Sequence, residues 1–129
     1  MSLPTPSPES IALVTGASSG IGEQFARQLS DQGHRVALVA RRQDRLDRLA
    51  QELGGQDRAV PIAADLSVPD DRDRLAARLD ELGAQVEILV NNAGFGIYQP
   101  FGQAGRDQEL TQIRVLVEAP VDLMARYLP

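Results

Sequence analysis

The chain contains neither cysteine nor lysine. Without cysteine there are no disulfides and no thiolate chemistry, a usage compatible with a reducing compartment. Without lysine, all 13 basic residues are arginine, and no side-chain ammonium group is available to any site. Histidine is almost missing too. His34 stands alone, so a His/Cys metal centre cannot be assembled and no metal is expected. No apolar run approaches the roughly 20 residues that cross a bilayer, and prolines interrupt the opening MSLPTPSPES where a signal peptide would carry its hydrophobic segment. A cationic stripe is also absent: the net charge is -5 and the arginines are dispersed, which argues against nucleic acid as a partner. The expectation from these gaps is a cytoplasmic protein without a membrane partner, preceded by a disordered leader over residues 1–9.

What is present describes one packed domain over residues 10–129, since a chain of 129 residues with 43% apolar and 24% charged side chains can bury one core. Four short apolar runs recur: IALV from Ile11, VALV from Val36, VPIAA from Val60 and EILV ending at Val90. They are continuous rather than alternating, as in strands covered on both faces. Between them lie segments of helical period, with Ile21, Phe25 and Leu29 on one face, then Leu46, Leu49, Ala50 and Leu53, then Leu75, Leu79 and Leu82. Gly33, Gly54 with Gly55, and Gly83 stand where these helices should stop. Ser67 followed by Asp70 reads as an N-cap and capping box for the third helix, and Asp44 with Arg48 and Asp70 with Arg74 read as weak surface pairs.

Strict alternation of strand and helix argues for a parallel α/β sheet. The expected strand order is 3-2-1-4, which puts Pro61 on an edge strand, where a missing N–H is tolerated. A last amphipathic segment carries Ile113, Leu116, Val117, Pro120 and Met124 at helical spacing, with Pro120 expected to kink or divide it.

The octet TGASSGIG, Thr15 to Gly22, follows the first strand and opens the first helix. In that context Gly16 permits a tight turn, Gly20 lets backbone approach a ligand, and Gly22 lets the helix pack closely. Amides at a helix N-terminus, including that of Ile21, attract a pyrophosphate without any basic side chain, and Ser18 and Ser19 add hydroxyl donors. A plain strand-to-helix turn would also use glycine, but position and flanks favour nucleotide binding. After the second strand, where an acidic residue would grip a ribose 2′-hydroxyl, stand Ala40, Arg41 and Arg42. Two guanidiniums suit a 2′-phosphate and hence NADP(H), the alternative being arginines that are simply solvated. Asp65 follows the third strand and NNAG, Asn91 to Gly94, the fourth, on the strand edge where open α/β sheets bind ligands. Asp65 can accept from an adenine amino group, and Asn91, Ala93 and Gly94 offer short side chains and approachable backbone, although turn chemistry alone would explain NNAG.

Together, TGASSGIG, the ADL ending at Leu66, NNAG and ARR resemble the short-chain dehydrogenase/reductase family, its NADP-preferring members in particular, over Ile11 to Pro129. The resemblance implies a Rossmann-type three-layer fold, a nicotinamide cofactor and hydride transfer between a small carbonyl and an alcohol. It also implies a catalytic Ser and a Tyr-x-x-x-Lys pair, which this chain does not show. Tyr98 is followed four places on by Gly102, Tyr127 has two residues after it, and there is no lysine. Leu116 stands where the family usually has an asparagine, and as part of the last apolar stripe it reads as a core residue. No catalytic residue is therefore assigned. The expected molecule is the cofactor-binding half of such an enzyme, truncated after strand 4 and inactive alone, with a non-catalytic dinucleotide-binding module and a fragment without ligand as alternatives. The family's sheet has about seven strands, so the edge of strand 4 or the last helix is expected to make a homo-oligomer. FGIYQPF, Phe95 to Phe101, reads as a surface loop.

Overall fold

The computed structural model describes residues 2–94 and 99–128. Strand and helix alternate as β1 (Ser10–Thr15), α1 (Gly20–Asp31), β2 (Val36–Ala40), α2 (Gln43–Glu52), β3 (Ala59–Ala63), α3 (Pro69–Glu81) and β4 (Gln85–Val90). After β4 come α4 (Arg106–Ile113), a π-helical turn over Arg114–Glu118, and α5 (Ala119–Tyr127). All strand pairs are parallel, in the order β3-β2-β1-β4. The sequence expectation of a Rossmann-type α/β sheet in that order holds, and Pro61 lies on the edge strand β3, opposite Leu38 of β2.

Side chains leave a strand on alternate faces, so the continuous apolar runs feed two cores. Ala12 and Val14 of β1 pack with Ala26, Leu29, Leu46 and Leu49 of α1 and α2. Ile11 and Leu13 pack on the other side with Leu75 and Leu79 of α3 and Leu123 of α5. Three layers result, and Gly33, Gly54 and Gly83 end their helices with positive φ of 98°, 114° and 64°. Between Ile11 and Ala12 the β1–β4 register slips, so that Glu87 has no partner on β1 and turns out to solvent. Residues 2–9 form no helix or strand and are exposed. No helix among the described residues is long and apolar enough to cross a membrane.

Several local expectations are corrected. The N-cap of α3 is Val68, with Pro69 opening the helix, and no side chain caps it. Ser67 is drawn off to Asp65 instead. A proline fits the first helical position because its φ is preset and its N–H is not needed there. Arg74 pairs with Asp71 rather than Asp70, and Asp44 with Arg42 rather than Arg48. Ile21 and Phe25 are 68% and 45% exposed, because α1 turns Gly22, Ala26, Leu29 and Ser30 to the sheet. The last segment differs most. Ile113, Leu116, Val117 and Met124 face outward, Leu116 at 45% exposure, whereas Ala119 and Leu123 are buried. The division of that segment falls in the π-helical turn before Pro120, which then sits in the first turn of α5.

Arg72 of α3 is 2% exposed beneath this segment, its guanidinium 2.6 Å from Glu118 and 3.3 Å from Asp122. It therefore ties α3 to the π-helical turn and α5 with a charge held out of water.

Candidate functional site

The carboxyl ends of all four strands open on one cleft of about 350 Å3. Its floor is set by the turn after β1. Gly16 has φ +65°, in the left-handed region that disfavours a side chain, and a Cβ there would stand 2.9 Å from Asn92 Nδ2 and 3.0 Å from Ala93 Cα. Gly22 is tighter still, for its Cβ would come within 2.1 Å of the Gly16 carbonyl oxygen. At Gly20, φ +60°, nothing lies within 4 Å of the Cβ position, so backbone there borders open space. Ser19 enters the helix in extended conformation and places no side-chain hydrogen bond on it. The first-turn amides of α1 are thus left without a side-chain cap, in the geometry that attracts an anion.

The loop and the end of β4 are joined by one hydroxyl. Thr15 Oγ1 accepts from the backbone N–H groups of Asn92 and Ala93, each at 3.0 Å, and donates to the Val90 carbonyl at 3.3 Å. Asn92 Nδ2 in turn donates to the Gly16 carbonyl at 3.3 Å. Asn92, which sequence reasoning passed over in favour of its neighbour, is the side chain that joins the two loops, whereas Asn91 is exposed and does not line the cleft. NNAG offers two identical side chains, and only the direction of the strand end decides between them.

Gly16, Ser18 and Ser19 form one wall with Ala93 and Gly94. Arg41 and Arg42 stand at the end of β2, and Arg45, in the first turn of α2, joins them. Arg42 lies 3.5 Å from Asp44, while Arg41 and Arg45 have no ion pair among the described residues. Asp65 also lines the cleft, held by a knot of bonds: its Oδ1 accepts from the Ser67 N–H at 3.0 Å and hydroxyl at 2.7 Å, and its own N–H donates to Asp71 Oδ2 at 2.7 Å. That N–H and the Arg74 guanidinium hold the Asp71 carboxyl below the usual carboxylate range, so it is ionised at neutral pH. Gly20, Ile21 and Gly22 do not line the cleft themselves; they shape its rim and floor from α1.

Thr111 and Val115 close the far wall from α4 and the π-helical turn. Leu116 leans on Gly94, where a Cβ would meet its Cδ2 at 2.8 Å. These wall residues carried no motif. Tyr127, the last residue of α5, packs against the core cluster that holds Leu75 and Leu79 rather than into the cleft, and burial pushes its hydroxyl above the usual tyrosine pKa. Tyr98 and most of the loop from Phe95 to Phe101 lie outside the described residues.

The short chain dehydrogenase family model matches residues 10–129. An uncharacterized oxidoreductase of Staphylococcus epidermidis is 37% identical over 122 residues, which are 94% of this chain and 52% of that protein. Among solved structures, a metagenomic short-chain oxidoreductase in complex with NADP superposes with a TM-score of 0.86 at 34% identity, covering 98% of this chain and 57% of that one. A 3-ketoacyl-(acyl-carrier-protein) reductase from Brucella melitensis, complexed with NADH, has a TM-score of 0.83 at 32% identity, with 93% of this chain and 49% of that one covered. The chain spans about half the length of these proteins. A glycine turn buttressed by Asn92, a cleft at the strand ends and a family match over residues 10–129 have one common explanation: the chain belongs to the short-chain dehydrogenases.

Proposed function

We propose that this chain binds NADP(H) in the cleft and forms the cofactor-binding half of an oxidoreductase that transfers hydride between the nicotinamide and a small carbonyl or alcohol. The observation that carries the reading is the convergence of Ser18, Ser19, Arg41, Arg42, Arg45 and Asp65 on one open cleft, beside the uncapped start of α1. The residues fit the cofactor. A diphosphate meets the N-terminus of α1 beside Gly20, with Ser18 and Ser19 as donors. The guanidiniums at the end of β2 take a 2′-phosphate, and Asp65 takes the adenine amino group. Ala93 and Gly94 give the adenosine and nicotinamide side a wall of backbone, with Asn91 at its exposed rim. Bound nicotinamide supplies the hydride; the residues of this chain bind and orient it. With no lysine in the chain, a tyrosine here has no ammonium neighbour to lower its pKa, so binding without turnover is the behaviour proposed for the chain alone.

NADP over NAD is the finer part of the reading, and the Brucella reductase complexed with NADH is the reason to test it. Titrations followed by nicotinamide fluorescence should show NADPH bound more tightly than NADH. Replacing Arg41 with Asp and Arg42 with Gly should weaken NADPH by about tenfold or more, the worth of one charge-assisted bond, and NADH far less. An equal loss for both removes the arginines from the 2′-phosphate site, and indifference to both at millimolar levels leaves only a fragment that binds nothing. We also propose a homo-oligomer through the outward apolar face of α4 and α5 or the open edge of β4.

A further inference from the structure

We infer that Ser67 and Asp71 are positioning residues that set the purine preference of the cleft, making it select a 6-aminopurine over a 6-oxopurine by holding Asp65 in one orientation. The inference rests on the dinucleotide reading and concerns the adenosine end alone.

Asp65 is fixed at three points. Its N–H is bound by the Asp71 carboxylate at 2.7 Å, its carbonyl accepts from the Val68 N–H at 3.0 Å, and its Oδ1 takes both donors of Ser67. The knot is anchored beyond itself. Ala64 is bonded to the Ala40 carbonyl at 2.9 Å, and Asp71, in the first turn of α3, pairs with Arg74. Asp65 Oδ2 has no partner among the described residues, although the residue lines the cleft. A carboxylate carries about four acceptor sites, so one oxygen is committed to the loop and the other remains for a ligand.

The chemistry of the purine edge then decides selectivity. A 6-amino group donates to a fixed carboxylate oxygen. A 6-oxo group presents lone pairs to it, and the neighbouring N1–H can be reached only if the carboxylate shifts. A held carboxylate rejects the 6-oxopurine; a released one adapts to it. Rejection by an unpaired or opposed polar group is the strong form of discrimination.

The test compares NADPH with reduced nicotinamide hypoxanthine dinucleotide phosphate on the whole chain, each binding followed by nicotinamide fluorescence. The wild type should prefer NADPH by at least about tenfold. Ser67→Ala and Asp71→Ala should each reduce the preference to about threefold or less, mainly by tightening the hypoxanthine analogue, and Ser67→Thr should restore it. The ratio of two ligands on one variant is insensitive to the fraction folded, so a merely structural role would not move it. Wild-type ratios in Ser67→Ala and Asp71→Ala, with the preference lost only in Asp65→Ala, overturn the inference. So does a wild type that binds both nucleotides equally. If NADPH itself gives no enhancement, the dinucleotide reading falls and this inference with it.

Discussion

Two glycines of the same loop are glycine for different reasons, and single alanines separate them. At Gly22 a Cβ would be driven within 2.1 Å of the Gly16 carbonyl, a backbone atom that cannot step aside without moving the turn and Asn92. Gly22→Ala should therefore cost about 2 kcal/mol or more in urea unfolding, at the upper end of overpacking. At Gly20 there is open space and only the left-handed φ of +60° to satisfy, so Gly20→Ala should cost about 1–2 kcal/mol. Its methyl group would enter the open space beside the start of α1, and NADPH affinity should fall further than stability. If both alanines proved equally harmless to the fold, Gly22 would not be a packing residue. The glycine pattern is legible in the sequence because backbone angle and close approach leave a residue-type signature. The role of Asn92 is not, since its value lies in a contact with a carbonyl 76 positions away.

Among the elements, α3 and α5 show most clearly what a sequence pattern leaves out. Periodicity locates both helices, but it read Leu116 as a core residue of its stripe, whereas Ile113, Leu116, Val117 and Met124 face outward, Ala119 and Leu123 are buried, and Glu118 and Asp122 reach Arg72. Amphipathic period gives a face and not what the face meets. Ser67 misled for a related reason: it is a good cap residue, but Asp65 competes for it and Pro69 begins the helix without help. The buried Arg72 had no signature at all among 13 arginines. Its removal from water implies a sign that can be tested. Glu118→Gln with Asp122→Asn leaves a buried cation without a counter-charge and should destabilise by roughly 3–5 kcal/mol. Arg72→Met, which removes the charge together with its need for partners, should cost less, as read by urea unfolding. The reverse ranking would mean that Arg72 is solvated in solution.

At the scale of the molecule, strand order and the position of the cleft were legible because both follow from alternation of element types and from where strands end. The surfaces around β4 were legible only as an expectation of association. Apolar side chains on α4 and α5 and an unpaired strand edge are present together, and the proposed oligomer can be weighed directly. Val117→Glu with Met124→Lys should convert the assembly to monomers in sedimentation velocity while leaving the unfolding free energy of the monomer within about 0.5 kcal/mol of the parent, as surface changes do. A parent already monomeric at all concentrations rejects the proposed contact. The Thr15 hydroxyl, meanwhile, makes one rigid body of the glycine turn and the adjoining segment from Asn92 to Ala93. That side need not be assembled when a guest arrives, so much of the entropy of capture falls on the exposed heads of Arg41, Arg42 and Arg45, which must give up their freedom.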